Sequence, residues 1–137
     1  MGEFAGLVPA VSQGQMAERF YTQERCYISE FMNTPEAAQV SLALCSVAPG
    51  VTTQLHALTV EERYIITQGR GVMELAESET FLVNVGDVVI IPAGVAQRIR
   101  NVLDEDLNFL CVCTPRFQPE HYRVLETAQT QPLDNVL

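Results

Sequence analysis

Apolar residues from position 40 onward fall in short runs separated by turn residues at intervals of roughly 8 to 12, the spacing of an all-β sandwich or barrel. The runs predict strands over 40–48, 51–58, 62–68, 72–75, 80–83, 88–91, 97–101 and 107–114. Their punctuation is chemically specific. Pro49-Gly50 ends the first, Gly69-Arg70-Gly71 supplies a glycine-rich hairpin turn, Asn84-Val85-Gly86-Asp87 and Pro92-Ala93-Gly94 bracket the fully apolar 88–91, and Asp104-Glu105-Asp106 precedes the last. No long helical pattern fits between these strands, which disfavours a parallel α/β fold. At the flanks, a helical turn near 16–21 and an edge strand over 25–32 are expected, then a short helix over 118–127 after Pro115 and a loose tail. No internal repeat or low-complexity segment interrupts the chain.

The length of 137 residues suits one domain able to bury its own core: a barrel core at about 40–114, an N-terminal arm 1–39 and a C-terminal segment 115–137. Hydrophobic residues make up 47%, against disorder, whereas charged residues make up only 18%, leaving room for a covered subunit face. The net charge is −9 with the acids spread along the chain, so nucleic acid and anionic membrane, which need clustered positive charge, are not expected partners. All eight basic residues are arginine, and without a lysine, Schiff-base and lysine-base mechanisms are excluded. Residues 1–11 lack the basic region of a secretory leader and no apolar run nears the ~20 residues of a membrane span, making a cytoplasmic location the expectation. Cys26, Cys45, Cys111 and Cys113 form no CxxC pair, in keeping with a reducing compartment.

Two spaced signatures lie between Gly50 and Asn101. The first runs Gly50, five residues, His56, one residue, Leu58, three residues, Glu62, six residues, Gly69; the second runs Gly86, five residues, Pro92, one residue, Gly94, two residues, Gln97, three residues, Asn101. This pairing resembles the two motifs of the cupin superfamily, in which three histidines and a glutamate hold a divalent metal. Leu58 and Gln97 stand where two of those histidines occur. The resemblance implies a cupin-type double-stranded β-helix, a jelly-roll barrel with short N- and C-terminal extensions, associating as a homodimer. It also places His56, Glu62 and Gln97 as metal ligands around one point in the barrel mouth, an open set able to take zinc, iron, manganese or nickel more weakly than three histidines do.

Strand periodicity turns His56 and Leu58 to one side, and Glu62 and Tyr64 to one side after the turn. Glu62 is then a metal ligand or a catalytic base. Tyr64 is a candidate to orient a substrate oxygen or donate a proton, and its alternative is a core aromatic with a backbone partner. Leu58, Ile66, Ile99 and Phe109 are the expected apolar pocket walls. Cys111 and Cys113 share a side with Phe109, where wall packing is the plain reading for a cysteine. His121 is assigned to the surface, and Arg63 and Arg98 to the outside of the barrel in salt bridges or a subunit contact. No GxSxG elbow, phosphate loop or dinucleotide fingerprint is present. Two functions follow. One is a small-molecule enzyme with its site in the barrel mouth, a weakly held divalent metal acting as Lewis acid in isomerase, lyase, cyclase or dioxygenase-like chemistry; the other is a metal-free barrel binding a sugar or aromatic acid.

Overall fold

The computed structural model describes residues 8–133. The first part of the arm, the last residues of the C-terminal segment, and much of the stretch on which the leader reading rests lie outside that range. Eleven strands build two antiparallel sheets, and the helices among the described residues are three single 3₁₀ turns. The six-stranded sheet runs β1 (Arg19–Tyr21), β2 (Tyr27–Met32), β3 (Ser41–Val47), β10 (Leu107–Thr114), β5 (Glu61–Gln68), β8 (Val88–Ile91). The five-stranded sheet runs β11 (Tyr122–Val124), β4 (His56–Leu58), β9 (Gln97–Asn101), β6 (Arg70–Leu75), β7 (Glu79–Asn84). Among the described residues no helix is long and apolar enough to cross a membrane.

The two sheets face each other across one apolar layer. Inward positions recur every second residue, as the pleat requires: Glu62, Tyr64 and Ile66 on β5, Gln97, Ile99 and Asn101 on β9, Leu107, Phe109, Cys111 and Cys113 on β10. Tyr64 stacks on Phe109 with ring centroids 4.2 Å apart at the centre of the cluster. Asn101 closes one end by donating from Nδ2 to the carbonyls of Val47 and Glu105, tying both strand ends around the acidic turn.

The strand expectations hold for 62–68, 88–91, 97–101 and 107–114, and three local readings need correction. Residues 51–58 form a strand only at His56–Leu58; upstream there is a lone bridge from Thr52 to Arg100, and Thr53 bonds to Ile99 through both backbone and hydroxyl. Gly69-Arg70-Gly71 is no hairpin, because β5 and β6 belong to different sheets. Gly69, at φ +87°, carries the chain from one sheet to the other, and a Cβ there would sit 2.9 Å from the Asp106 carbonyl oxygen. Close backbone approach is therefore what glycine permits here. The genuine hairpin joins β6 to β7 through Ala76 and Glu77, both at positive φ.

The flanks also differ. The expected helical turn near 16–21 is a single 3₁₀ turn at Gly14–Met16 followed by β1, which pairs with β2. The expected helix over 118–127 is one 3₁₀ turn at Pro119–His121 and then β11, which pairs with β4 and sets Tyr122 opposite Leu58 and Val124 opposite His56. A short polar segment with weak propensity takes the conformation its neighbour offers, here an open strand edge.

Gly69→Ala should lower the unfolding free energy by about 1–3 kcal/mol, through strain at positive φ and the clash with Asp106, measured by urea denaturation. An unchanged midpoint would mean that the crossover has slack.

Candidate active site

Between the sheets, where β2, β3 and β10 meet β4 and the C-terminal segment, lies a cavity of about 620 Å³. His56, Leu58 and Glu62 line it from within the barrel; Glu24, Cys111, Cys113, Phe117 and Tyr122 complete much of its wall. A second hollow of about 460 Å³ lies outside the sheets beneath the C-terminal residues. Two guanidinium groups there are already committed, Arg25 to Glu126 and Arg98 to Glu74, so the inner cavity is the better place for chemistry.

Glu62 projects inward from β5 and is 7% exposed. It is not left unpartnered. Gln97 Nε2 donates to Glu62 Oε1 at 2.8 Å, and the Tyr64 hydroxyl donates to Gln97 Oε1 at 2.6 Å, so a relay runs from the core to the cavity through three side chains on two strands. The Cys113 thiol lies 3.7 Å from Glu62 Oε2. Burial, and after it the nearby Glu24 carboxylate, push Glu62 up from 4.5 to about 8, against the opposing hydrogen bonds from Gln97 and Cys113. Glu62 is accordingly a neutral acid at pH 7. Since Oε1 accepts from Gln97, the proton belongs on Oε2. Burial likewise raises the Tyr64 phenol, which stays a donor.

His56 is fixed by its own turn. Its Nδ1 is 2.7 Å from the Gln54 carbonyl oxygen, which can only accept, so Nδ1 carries the hydrogen and Nε2 is left facing the cavity. Tyr122 stacks on the ring at 4.6 Å and 11°, and its hydroxyl donates to Gln54 Oε1 at 2.8 Å. Opposite Nε2, at 3.6 Å, is Oε1 of Glu24.

The sequence-expected residues thus divide. His56, Leu58 and Glu62 line the cavity, and Gln97 and Tyr64 stand directly behind Glu62, fully buried. Ile66, Ile99 and Phe109, expected as pocket walls, are 0–1% exposed members of the core and do not line the cavity, because the Tyr64–Gln97 layer separates them from it. Arg98 leaves the barrel interior as expected but is itself buried, paired to Glu74 and donating to the Gln131 carbonyl under the C-terminal residues, not at an open sheet surface. Arg63 pairs with Glu61 near solvent. His121 accepts from the Gln118 amide on Nδ1 in its 3₁₀ turn. Glu24 and Tyr122 were missed. Both lie in flanks without motif spacing, and only the pairing of β11 with β4 and the turn after β1 bring them in.

The donor set does not fit the divalent metal that the motifs imply at His56, Glu62 and Gln97. The Gln97 amide turns its oxygen to Tyr64 and its NH₂ to Glu62, so at the carboxylate it presents a donor where a cation needs a lone pair. Leu58 fills the fourth position with hydrocarbon, packed with Val60 and Cys113.

Comparison with known proteins agrees with this architecture. The cupin domain family matches residues 43–113. The chain is 34% identical over 110 residues to the uncharacterized protein MJ1618 of Methanocaldococcus jannaschii, covering 78% of this chain and 87% of that one. The chain belongs to the cupin family. Among solved structures of the fold, the polyketide cyclase RemF from Streptomyces resistomycificus superposes with a TM-score of 0.73 at 18% identity, covering 90% of this chain and 89% of that one. Pac13, a nucleoside dehydratase from Streptomyces, gives 0.73 at 16% identity, with 87% and 92% covered. This cupin therefore shares its fold with enzymes.

The raised Glu62 makes stability depend on pH. The folded chain keeps a proton that the unfolded chain releases between pH 4.5 and about 8, so stability is full below the lower value, falls across the interval and levels above it. The loss from this one group is on the order of 5 kcal/mol. Glu62→Gln should flatten that part of the profile, seen as a smaller difference between urea midpoints at pH 5 and pH 9. Equal slopes in both proteins would show that Glu62 titrates normally.

Proposed function

We propose that this cupin is a small-molecule enzyme that works by proton transfer inside the barrel, with His56 Nε2 as base and the Glu62 carboxyl as acid. The observation that carries the reading is the relay Tyr64–Gln97–Glu62 ending on the cavity wall across from an imidazole whose free nitrogen is fixed by Gln54. A proton donor and a proton acceptor presented to one cavity are what acid–base catalysis requires. The burial of Glu62 supports the assignment, since it leaves the group protonated up to about pH 8.

In the reaction, His56 Nε2 takes a proton from a carbon or hydroxyl of the substrate, and the Glu24 carboxylate beside it stabilises the imidazolium that forms. Glu62 delivers its Oε2 proton to the oxygen that departs or gains charge. The balance is one proton removed and one supplied, so the class is elimination of water, isomerisation or ring closure of a hydroxylated or carbonyl-bearing molecule. Relatives of this fold that act as a polyketide cyclase and a nucleoside dehydratase support the class. Leu58, Phe117 and Tyr122 supply flat apolar contact for a ring-bearing substrate. Taking the chain as one domain in a cytoplasmic homodimer belongs to the same reading. The four free thiols support that compartment, and the exposed Phe20 and Tyr21 on the arm strand support a second copy along that edge.

Incubation with a panel of nucleosides, sugars, hydroxy acids and poly-carbonyl aromatics, followed by mass spectrometry, should reveal loss of water or an isomeric product. Turnover should fall as pH rises through about 8. It should drop by about 100-fold or more in Glu62→Gln and in His56→Ala, with a smaller loss in Tyr64→Phe. Full activity in Glu62→Gln would remove the acid. Panel members that raise the melting temperature without turnover would favour the second reading, a binding barrel, for which the dense internal bonding of Gln97 and Tyr64 is the supporting feature.

A further inference from the structure

Against Glu24 lies a group of thiols that the acid–base chemistry does not use. Cys26 follows the turn after β1, Cys45 lies on β3 and Cys111 on β10, and these segments are neighbours: Ile28 pairs with Cys45, and Ala43 with Cys111. The ligand atoms of Glu24, Cys26 and Cys45 all lie within 4.8 Å of one another, with Cys26 Sγ 3.4 Å from Glu24 Oε2. Cys111 packs against the core cluster that holds Cys26 and Cys45. Cys26 and Cys45 are wholly buried, whereas Glu24 and Cys111 line the cavity, which provides a way in from solvent.

We propose that Cys26, Cys45 and Glu24 form a site for a thiophilic closed-shell cation of the zinc class, with one tetrahedral position left to solvent, separate from the motif position at His56. Buried cysteines alone are ordinary packing, but here two thiols converge on one carboxylate that faces the cavity. Glu24 Oε1 lies 3.6 Å from His56 Nε2, and Oε2 is turned to the Cys26 thiol. Around zinc, with Zn–S of about 2.3 Å, tetrahedral ligand atoms stand roughly 3.7 Å apart, so Glu24, Cys26 and Cys45, within 4.8 Å of one another, close onto the ion with shifts of about 1 Å. Each coordinating thiol releases its proton to solvent as its metal–sulfur bond forms. The ion would tie the turn of residues 22–26 to β3, and hold Glu24 in place opposite His56.

The full chain, reduced with a phosphine and stripped with chelator, is titrated with Zn²⁺ and with Cd²⁺. One ion per chain is expected, with an ultraviolet thiolate-to-cadmium charge-transfer band and a zinc-edge X-ray absorption spectrum that contains sulfur ligands. The band should weaken at least 10-fold in Cys45→Ser and in Cys26→Ser and persist in His56→Ala. Because a core substitution can itself prevent folding, the absorption spectrum of the unaltered protein decides independently. A shell of nitrogen and oxygen only, no binding by the folded chain, or a band kept in Cys45→Ser but lost in His56→Ala would each overturn the site.

Discussion

A carboxyl group on the inward face of a closed sheet has no water to stabilise its charge, so it must either lose the charge or be surrounded by groups that replace water. Glu62 does both. Two strands of one sheet and one of the other are committed to its support: β5 carries Glu62 and Tyr64, β9 carries Gln97, and β10 carries Cys113 and the Phe109 ring on which Tyr64 stacks. The same residues that define the centre of the core also fix the protonation of the cavity wall. Packing and chemistry therefore cannot vary independently here, since displacing Tyr64 would release Gln97 and leave the Glu62 carboxyl with an unsatisfied oxygen at depth.

The other wall of the cavity is made by late and early parts of the chain that contribute little to the core. Tyr122 reaches His56 because β11 completes the edge next to β4, and Glu24 reaches it from the turn between β1 and β2. A barrel built by the central strands is thus given its chemical identity by its two extensions. In a family whose fold hosts several chemistries, such extensions are where one member can differ from another without disturbing the sheets.

Much of the architecture was legible in the chain because its signals are local. The alternation of β5, the wholly apolar β8 and the Pro–Gly punctuation are consequences of the pleat and of restricted backbone angles, and they read directly as strands and turns. Where the reading failed, the deciding force was non-local. Gly69-Arg70-Gly71 carries the composition of a hairpin turn, yet its glycines serve a crossing between sheets, because the Asp106 carbonyl approaches from a distant loop. Residues 118–127 carry no strong strand signal and became β11 only because β4 offered unpaired backbone groups. Ile66, Ile99 and Phe109 face inward as expected, but facing inward does not distinguish the core from the cavity.

By itself, then, the sequence determined the central strands β3 and β5 to β10, the family, and the inward placement of His56, Leu58, Glu62 and Gln97, because each follows from side-chain period and fixed motif spacing. Only the tertiary structure decided what those groups do for one another. It turned the Gln97 amide into a link between Tyr64 and Glu62 in place of a metal ligand, and it brought Glu24 and Tyr122 to the same cavity with the Cys26 and Cys45 thiols against Glu24. Hydrogen-bond direction and desolvation depend on atoms contributed by strands far apart in the chain, and that information exists only once the sheets have closed.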